Sequence, residues 1–246
     1  MRSVIVIPAR YQSSRFPGKP LANILGKPMI LWVAELSAKA LGKKNVYVAT
    51  DDDRIVEVVQ EAGYQTVMTS ENAQTGTDRL AEAAEKIEAD IYINVQGDEP
   101  ILEASDILKI RDVKLENMTS VINGICNISE DEDPSSVNIP KVITTEDNVM
   151  VYMSRVMLPG FKETKNAPSG YKKQVCIYAF TKEELRKFKN FGRKSILEAS
   201  EDIEILRFLE LDIAVKMVET KGGSLAVDIP EDIESVEKAL RRLNTL

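Results

Sequence analysis

Short β-branched runs alternate with stretches of helical period through the first part of the chain. Residues 4–7 are four apolar positions without a break, the pattern of a strand buried on both faces. Residues 28–41 follow with helical spacing, opened by Pro28 and stopped by Gly42. A second strand is predicted at 45–49, then a helix at 51–62 with Asp51 as its cap and Gly63 as its stop. Residues 64–68 read as a third strand, 77–87 as a helix opening on Thr77 and Asp78, and 91–95 as a fourth strand. Strands separated by helices need crossover connections, so this part is expected to form a parallel sheet covered on both faces.

Past Thr119 the period changes. Strand-like runs at 120–125, 141–143, 149–154 and 174–180 surround a Gly- and Pro-marked loop at 160–170, and together they suggest an antiparallel lobe. Helices return at 182–189 and 199–210, and the second would place Glu201, Glu204 and Arg207 on one face. A strand at 214–218, a short one at 225–228 and an amphipathic helix at 230–243 close the chain. The expected organisation is one domain, 1–246, with a strand-rich lobe inserted at about 120–180.

Composition narrows the function. A net charge of −7 and a pI of about 5.0 argue against a general nucleic-acid binder. No apolar run reaches the roughly 18 residues of a membrane span, and the chain opens directly on a strand, so a cytoplasmic protein is expected. Cys126 and Cys176 lie in strand-like runs and read as buried thiols. There is no histidine, which removes every imidazole base and every His-ligated metal site.

The first strand runs into Pro8-Ala9-Arg10-Tyr11-Gln12-Ser13-Ser14-Arg15-Phe16-Pro17-Gly18-Lys19-Pro20. Open α/β sheets bind ligands outside their strands' carboxyl ends, and this loop offers three cations and backbone donors there. It is neither a Walker A sequence nor a dinucleotide fingerprint, since Pro20 follows Lys19. A solvated basic turn is the plain alternative. Asp98 and Asp228 each end a predicted strand and could converge. Two carboxylates completed by substrate phosphates suit magnesium, although each alone also reads as a turn or helix-start acid. Asp78 and Glu99 read as a helix cap and a solvent-facing acid.

Several motifs together resemble CMP-Kdo synthetases, the 3-deoxy-manno-octulosonate cytidylyltransferases. They are Ile7–Tyr11, Ser14–Leu21, Gly26–Ile30, Val48–Asp52, Met68–Ser70, Gly76–Arg79, Val95–Pro100, Ser154-Arg155 and Val227–Asp232. The resemblance implies a Rossmann-like nucleotidyltransferase fold, a mixed, mostly parallel sheet with a smaller antiparallel lobe for dimerisation and acceptor binding. It implies a homodimer that uses CTP and Mg²⁺ to activate a 2-keto sugar acid. By position, Arg10, Arg15 and Lys19 would bind phosphates. Ala9, Ser14, Gly76, Thr77, Arg79 and Gln96 would frame the nucleotide beside Asp98. Asp98 and Asp228 would hold the metal, and Arg155, Gln174, Tyr178, Glu201 and Glu204 would face the acceptor. One departure stands out: Gln174 replaces the family's usual histidine before the strand that carries Tyr178. Kdo, an 8-amino or other analogue, a sialic-type acid and a sugar or polyol phosphate all stay open as acceptors, with Lys172 and Lys173 keeping the phosphate option. A non-catalytic nucleotide-binding module is the alternative of another class.

Overall fold

The computed structural model describes residues 1–13, 15–223 and 225–243. The chain runs through β1 (Ser3–Ala9), the hairpin strands β2 (Asn23–Ile24) and β3 (Lys27–Pro28), α1 (Met29–Leu41), β4 (Val46–Thr50) and α2 (Asp53–Glu61). Next come β5 (Gln65–Met68), α3 (Gly76–Lys86), β6 (Ile91–Val95), α4 (Ala104–Glu116), β7 (Val121–Asn127), β8 (Lys141–Thr144), β9 (Met150–Ser154) and β10 (Lys172–Phe180). α5 (Lys182–Asn190), α6 (Ile196–Glu201), α7 (Arg207–Glu210), β11 (Val215–Glu219) and α8 (Asp232–Leu243) complete the described elements.

The main sheet has the order β11-β7-β10-β6-β1-β4-β5. β1 pairs in parallel with β4 on one side and β6 on the other, β4 with β5, and β11 with β7. Among these seven strands β10 alone runs antiparallel, to both β6 and β7, and β8 and β9 join the sheet through further antiparallel pairs, β10 with β8 and β8 with β9. Side chains alternate across the sheet as the pleat requires. Val4 and Val6 enter one core with Leu80, Phe188 and Phe208, while Ile5 and Ile7 enter the other with Ile30, Ile55 and Ile107. Helices therefore cover both faces, as the strand–helix alternation predicts.

Chain order reverses at β1, because β4 and β5 lie to one side and β6 to the other. Such a reversal leaves a crevice beyond the strand ends. Here the ends of β1 and β6 come so close that a Cβ on Gly97 would meet the Pro8 carbonyl oxygen at 2.8 Å. Glycine is required for this approach.

Several local expectations change. α4 has no counterpart among the predicted elements, because its inner face mixes Ile107 and Ile110 with the buried polar residues Asp106 and Lys114. The predicted helix at 199–210 is broken. α6 begins earlier, on a Ser195–Glu198 capping box, and Asp202 in left-handed conformation (φ 51°) ends it before α7. Glu201, Glu204 and Arg207 therefore share no helix face. Asp52 caps α2 instead of Asp51, and Thr75 caps α3 instead of Thr77. Strands β7 and β10 lie within the main sheet, and β8 and β9 extend from β10. Residues 225–228, Ser224 being outside the described set, form no strand around Val227.

α4 is locked by one ion pair. The Lys114 ammonium donates to both Glu184 oxygens (2.8 and 2.7 Å) and to the Ser120 carbonyl (2.6 Å). Burial pulls the Lys114 pKa down, and Glu184 opposes that. Removing only one partner strands a buried charge. Lys114→Met is therefore expected to cost about 3–5 kcal/mol in urea unfolding, and adding Glu184→Gln is expected to restore most of it. A double variant no better than the single one would contradict this.

Candidate active site

The loop after β1 folds back on itself. The Gly18 N–H donates to the Tyr11 carbonyl at 2.8 Å, and the Arg54 guanidinium lies 3.3 Å over the Tyr11 ring. This closure aims Lys19 inward. Its ammonium donates to Asp98 Oδ2 at 2.7 Å and to the Val227 carbonyl at 2.9 Å, and lies 3.9 Å from Asp228 Oδ1. Arg15 donates to the same Asp228 oxygen at 3.0 Å. The Val227 N–H donates to the Asp98 carbonyl at 2.9 Å, which ties the two aspartate segments together. Asp228 is not the helix-start acid, because Asp232 accepts the Asp228 and Ile229 N–H groups at 2.7 and 3.0 Å.

A cavity of about 750 Å³ opens at this junction, beyond the ends of β1 and β6. Ala9, Arg10, Arg15, Lys19, Gly76, Arg79, Gln96, Asp98 and Asp228 line the half beside the cationic loop, and Arg155, Gln174, Tyr178 and Glu204 line the rest. Ser14 lies outside the described residues. Thr77 and Glu201 are not on the wall. The Thr77 N–H supports Glu204 from behind at 2.9 Å. Glu201 accepts from Ser154 Oγ at 2.6 Å and from the Arg155 N–H at 2.9 Å, which makes it a brace for Arg155. Arg79 is buried and held by Asp51 at 2.7 Å and by the Thr69 hydroxyl, so it forms fixed wall. Gly76 leaves room for the Gln96 amide, which a Cβ there would meet at 2.6 Å.

β10 forms the floor of the other half through Gln174, Cys176 and Tyr178. The Gln174 Nε2 donates to Asn123 Oδ1 at 3.0 Å, which fixes the amide on the wall. Cys176 and Glu99, read from sequence as core thiol and solvent-facing acid, both line the cavity. Burial, then Glu99 and Asp98, push the Cys176 thiol well above its usual range, which favours the neutral thiol. The Cys126 thiol is buried, and both cysteines are free. The Arg155 guanidinium is committed to carbonyls, those of Glu201 (2.5 Å), Val137 (2.8 Å) and Asp202 (3.0 Å), so it shapes the rim. Asp78 is no simple cap, since it pairs at 2.8 Å with buried Arg207, which also grips Glu198 at 2.6 Å. The period-two spacing of 174, 176 and 178 was the one sequence cue that Cys176 faces the site.

Glu204 accepts from Gln96 Nε2 at 3.2 Å and from the Thr77 N–H at 2.9 Å. Burial nevertheless raises its pKa above the usual 4.5. The folded state then holds a proton that the unfolded state releases first. Stability from this group is complete below the ordinary carboxyl range and is lost as pH rises through the raised pKa. Glu204→Gln is expected to lose less stability than wild type between about pH 5 and about pH 8, read from urea midpoints. Equal losses in both proteins would contradict the raised carboxyl.

Residues 4–217 match the cytidylyltransferase family. The 3-deoxy-manno-octulosonate cytidylyltransferase of Geobacter metallireducens is 38% identical over 258 residues, covering 98% of this chain and 99% of the relative. The Escherichia coli protein of that name is 37% identical over 238 residues, covering 96% and 94%. A solved CMP:2-keto-3-deoxy-manno-octonic acid synthetase complexed with CTP superimposes with a TM-score of 0.90 at 36% identity, over 98% of this chain and 99% of that one. The inositol-1-phosphate CTP transferase from T. maritima shares the fold, with a TM-score of 0.69 at 16% identity over 98% and 95% of the two chains. With motifs, fold and full-length similarity in agreement, the chain belongs to the cytidylyltransferase family, among the CMP-Kdo synthetases.

Proposed function

We propose that the chain transfers CMP from CTP to the anomeric hydroxyl of Kdo, or of a Kdo-like 3-deoxy 2-keto sugar acid, and releases pyrophosphate. One observation carries this reading: a single cavity joins the cationic loop and the Asp98–Asp228 pair at one end to the β10 floor at the other. The acceptor hydroxyl attacks the α-phosphorus in line, forming the new P–O bond as the bond to pyrophosphate breaks. Such transfers need positioning and charge neutralisation more than covalent help from the protein. Arg10, Arg15 and Lys19 neutralise the triphosphate and the departing pyrophosphate. Gln96, spaced by Gly76 and held to Glu204, frames the nucleotide. Without histidine, the hydroxyl proton passes to a carboxylate or to water, and Asp98 stands at the junction of the two halves.

Asp98 and Asp228 suit magnesium: both hard carboxylates approach the Lys19 ammonium, at 2.7 and 3.9 Å, and phosphate oxygens and water would complete the shell of an ion held by them. Among the described residues no group of three or more acidic, Cys or His side chains offers an alternative all-protein site. Bound there, the ion would act as a Lewis acid on phosphate oxygens. Lys172 and Lys173 do not favour an acceptor phosphate: they pair with Glu219 and Glu132 and lie off the cavity wall.

A homodimer is part of the proposal. Its support is the exposure of Val151 on β9 and of Val156, Met157 and Phe161 just beyond it. No helix among the described residues is long and apolar enough to cross a membrane. Two free thiols suit the reducing cytoplasm. The product would serve as CMP-sugar donor for lipopolysaccharide or capsule assembly.

Pyrophosphate release with CTP and Mg²⁺ tests the reading across Kdo, 8-amino-Kdo, sialic-type acids and sugar phosphates. Release with Kdo or its analogue is expected, and Asp98→Asn is expected to lower turnover at least about a hundredfold with folding intact. Near-normal turnover in that variant would overturn the metal assignment. Silence across the whole panel with CTP still bound would favour a non-catalytic nucleotide-binding module.

A further inference from the structure

In the nucleotide-free protein, the cations expected to meet phosphates are spent on the carboxylates expected to meet metal. Lys19 lies between Asp98 and Asp228, at 2.7 and 3.9 Å, and Arg15 holds Asp228 at 3.0 Å. Two negative charges face two positive ones, so the cluster is neutral as it stands. The Lys19 side chain is only 17% exposed, and the Val227 carbonyl takes a further N–H at 2.9 Å. A poorly hydrated ammonium leaves such a place only when other oxygens receive it.

We infer that Lys19, helped by Arg15, is the internal counter-cation of the metal pair, so that divalent metal enters only with the nucleotide and by exchange of partners. The inference rests on the proposed metal role of Asp98 and Asp228. A bare divalent ion must evict the ammonium and leaves it facing a like charge. A bare triphosphate can draw Lys19 and Arg15 away but leaves two uncovered aspartates beside its own negative charge. When metal and triphosphate arrive together, both costs vanish: the cations pass to phosphate oxygens and the aspartates pass to the metal. Lys19 is then a positioning residue before it is a phosphate ligand, and it keeps the two aspartates at one point while the site waits. Arg15 contributes less, because its side chain is 61% exposed and its pair is screened by solvent.

Mn²⁺ binding, followed by water-proton relaxation with and without CTP, tests this without turnover, since no acceptor is present. Wild type is expected to bind Mn²⁺ at least about tenfold more tightly with CTP than without it. Equal affinity would overturn the inference without any variant. Lys19→Met is expected to tighten nucleotide-free Mn²⁺ binding by about tenfold or more, because Asp98 then loses its cation and Asp228 keeps only the solvent-screened Arg15. Lys19→Arg, which keeps the charge, is expected to stay near wild type. If Lys19→Met binds Mn²⁺ no better than wild type, while Asp98→Asn still abolishes binding of Mn²⁺ with CTP, the exchange is wrong and the metal reading stands. If Asp98→Asn and Asp228→Asn leave Mn²⁺ binding with CTP unchanged, the metal reading itself falls and takes the inference with it.

Discussion

The close approach of β1 and β6 at their carboxyl ends is the constraint on which the site depends. Hydrogen bonding in parallel register holds the strands side by side, and the bare backbone of Gly97 lets the chain after β6 pass the Pro8 carbonyl. One strand then delivers the cationic loop, and the other delivers Gln96 and Asp98 onto the same ground. A side chain at 97 would push these two loops apart. The chemistry of the nucleotide half would be lost although every ionisable group remained in the sequence. The rest is attached to this junction by backbone bonds, chief among them the Val227 N–H to the Asp98 carbonyl, which carries Asp228 into place.

Much of this was legible along the chain, for physical reasons that differ by element. β1, β4 and β6 are apolar nearly throughout because both their faces are buried, and that pattern survives any tertiary context. α4 was invisible because its inner face carries Asp106 and Lys114, whose burial makes sense only once the Lys221 N–H and Glu184 are known to meet them. The helix expected at 199–210 failed because local period says nothing about Asp202 turning left-handed. That break separates Glu201, Glu204 and Arg207. It sends the first to brace Arg155, the second to the cavity and the third into a buried grip on Asp78 and Glu198.

The site was legible to a similar depth. Most residues placed by motif do line one cavity, because a motif records both chemistry and strand end. The placements that differ are of one kind. Thr77 and Glu201 stand behind the wall, and the Arg155 guanidinium lies at its rim, held by carbonyls. A sequence pattern does not separate a side chain that touches ligand from the one that supports it. Cys176 and Glu99 were missed in the opposite sense, since an apolar run and a turn hide a wall that opens inward.

The two halves of the cavity differ in how their charges are settled. In the nucleotide half, Arg15 and Lys19 are paired with carboxylates that phosphates and a metal would take over, so the local charge can be rearranged without being created. In the other half the groups are neutral or already satisfied. Gln174 is held by Asn123, Cys176 and Tyr178 are kept protonated by burial, and Glu204 is pushed toward its neutral form while accepting two N–H bonds. A floor of this kind offers a sugar hydrogen-bond donors and acceptors but little fixed charge. The cations that an acidic acceptor's carboxylate could meet stand at the edges of this floor, Lys194 on one side, held by Asp202 at 2.7 Å, and Arg15 and Lys19 at the junction on the other. Those at the junction would hold the carboxylate, and the anomeric carbon bonded to it, beside the nucleotide phosphates, where the hydroxyl to be activated has to lie.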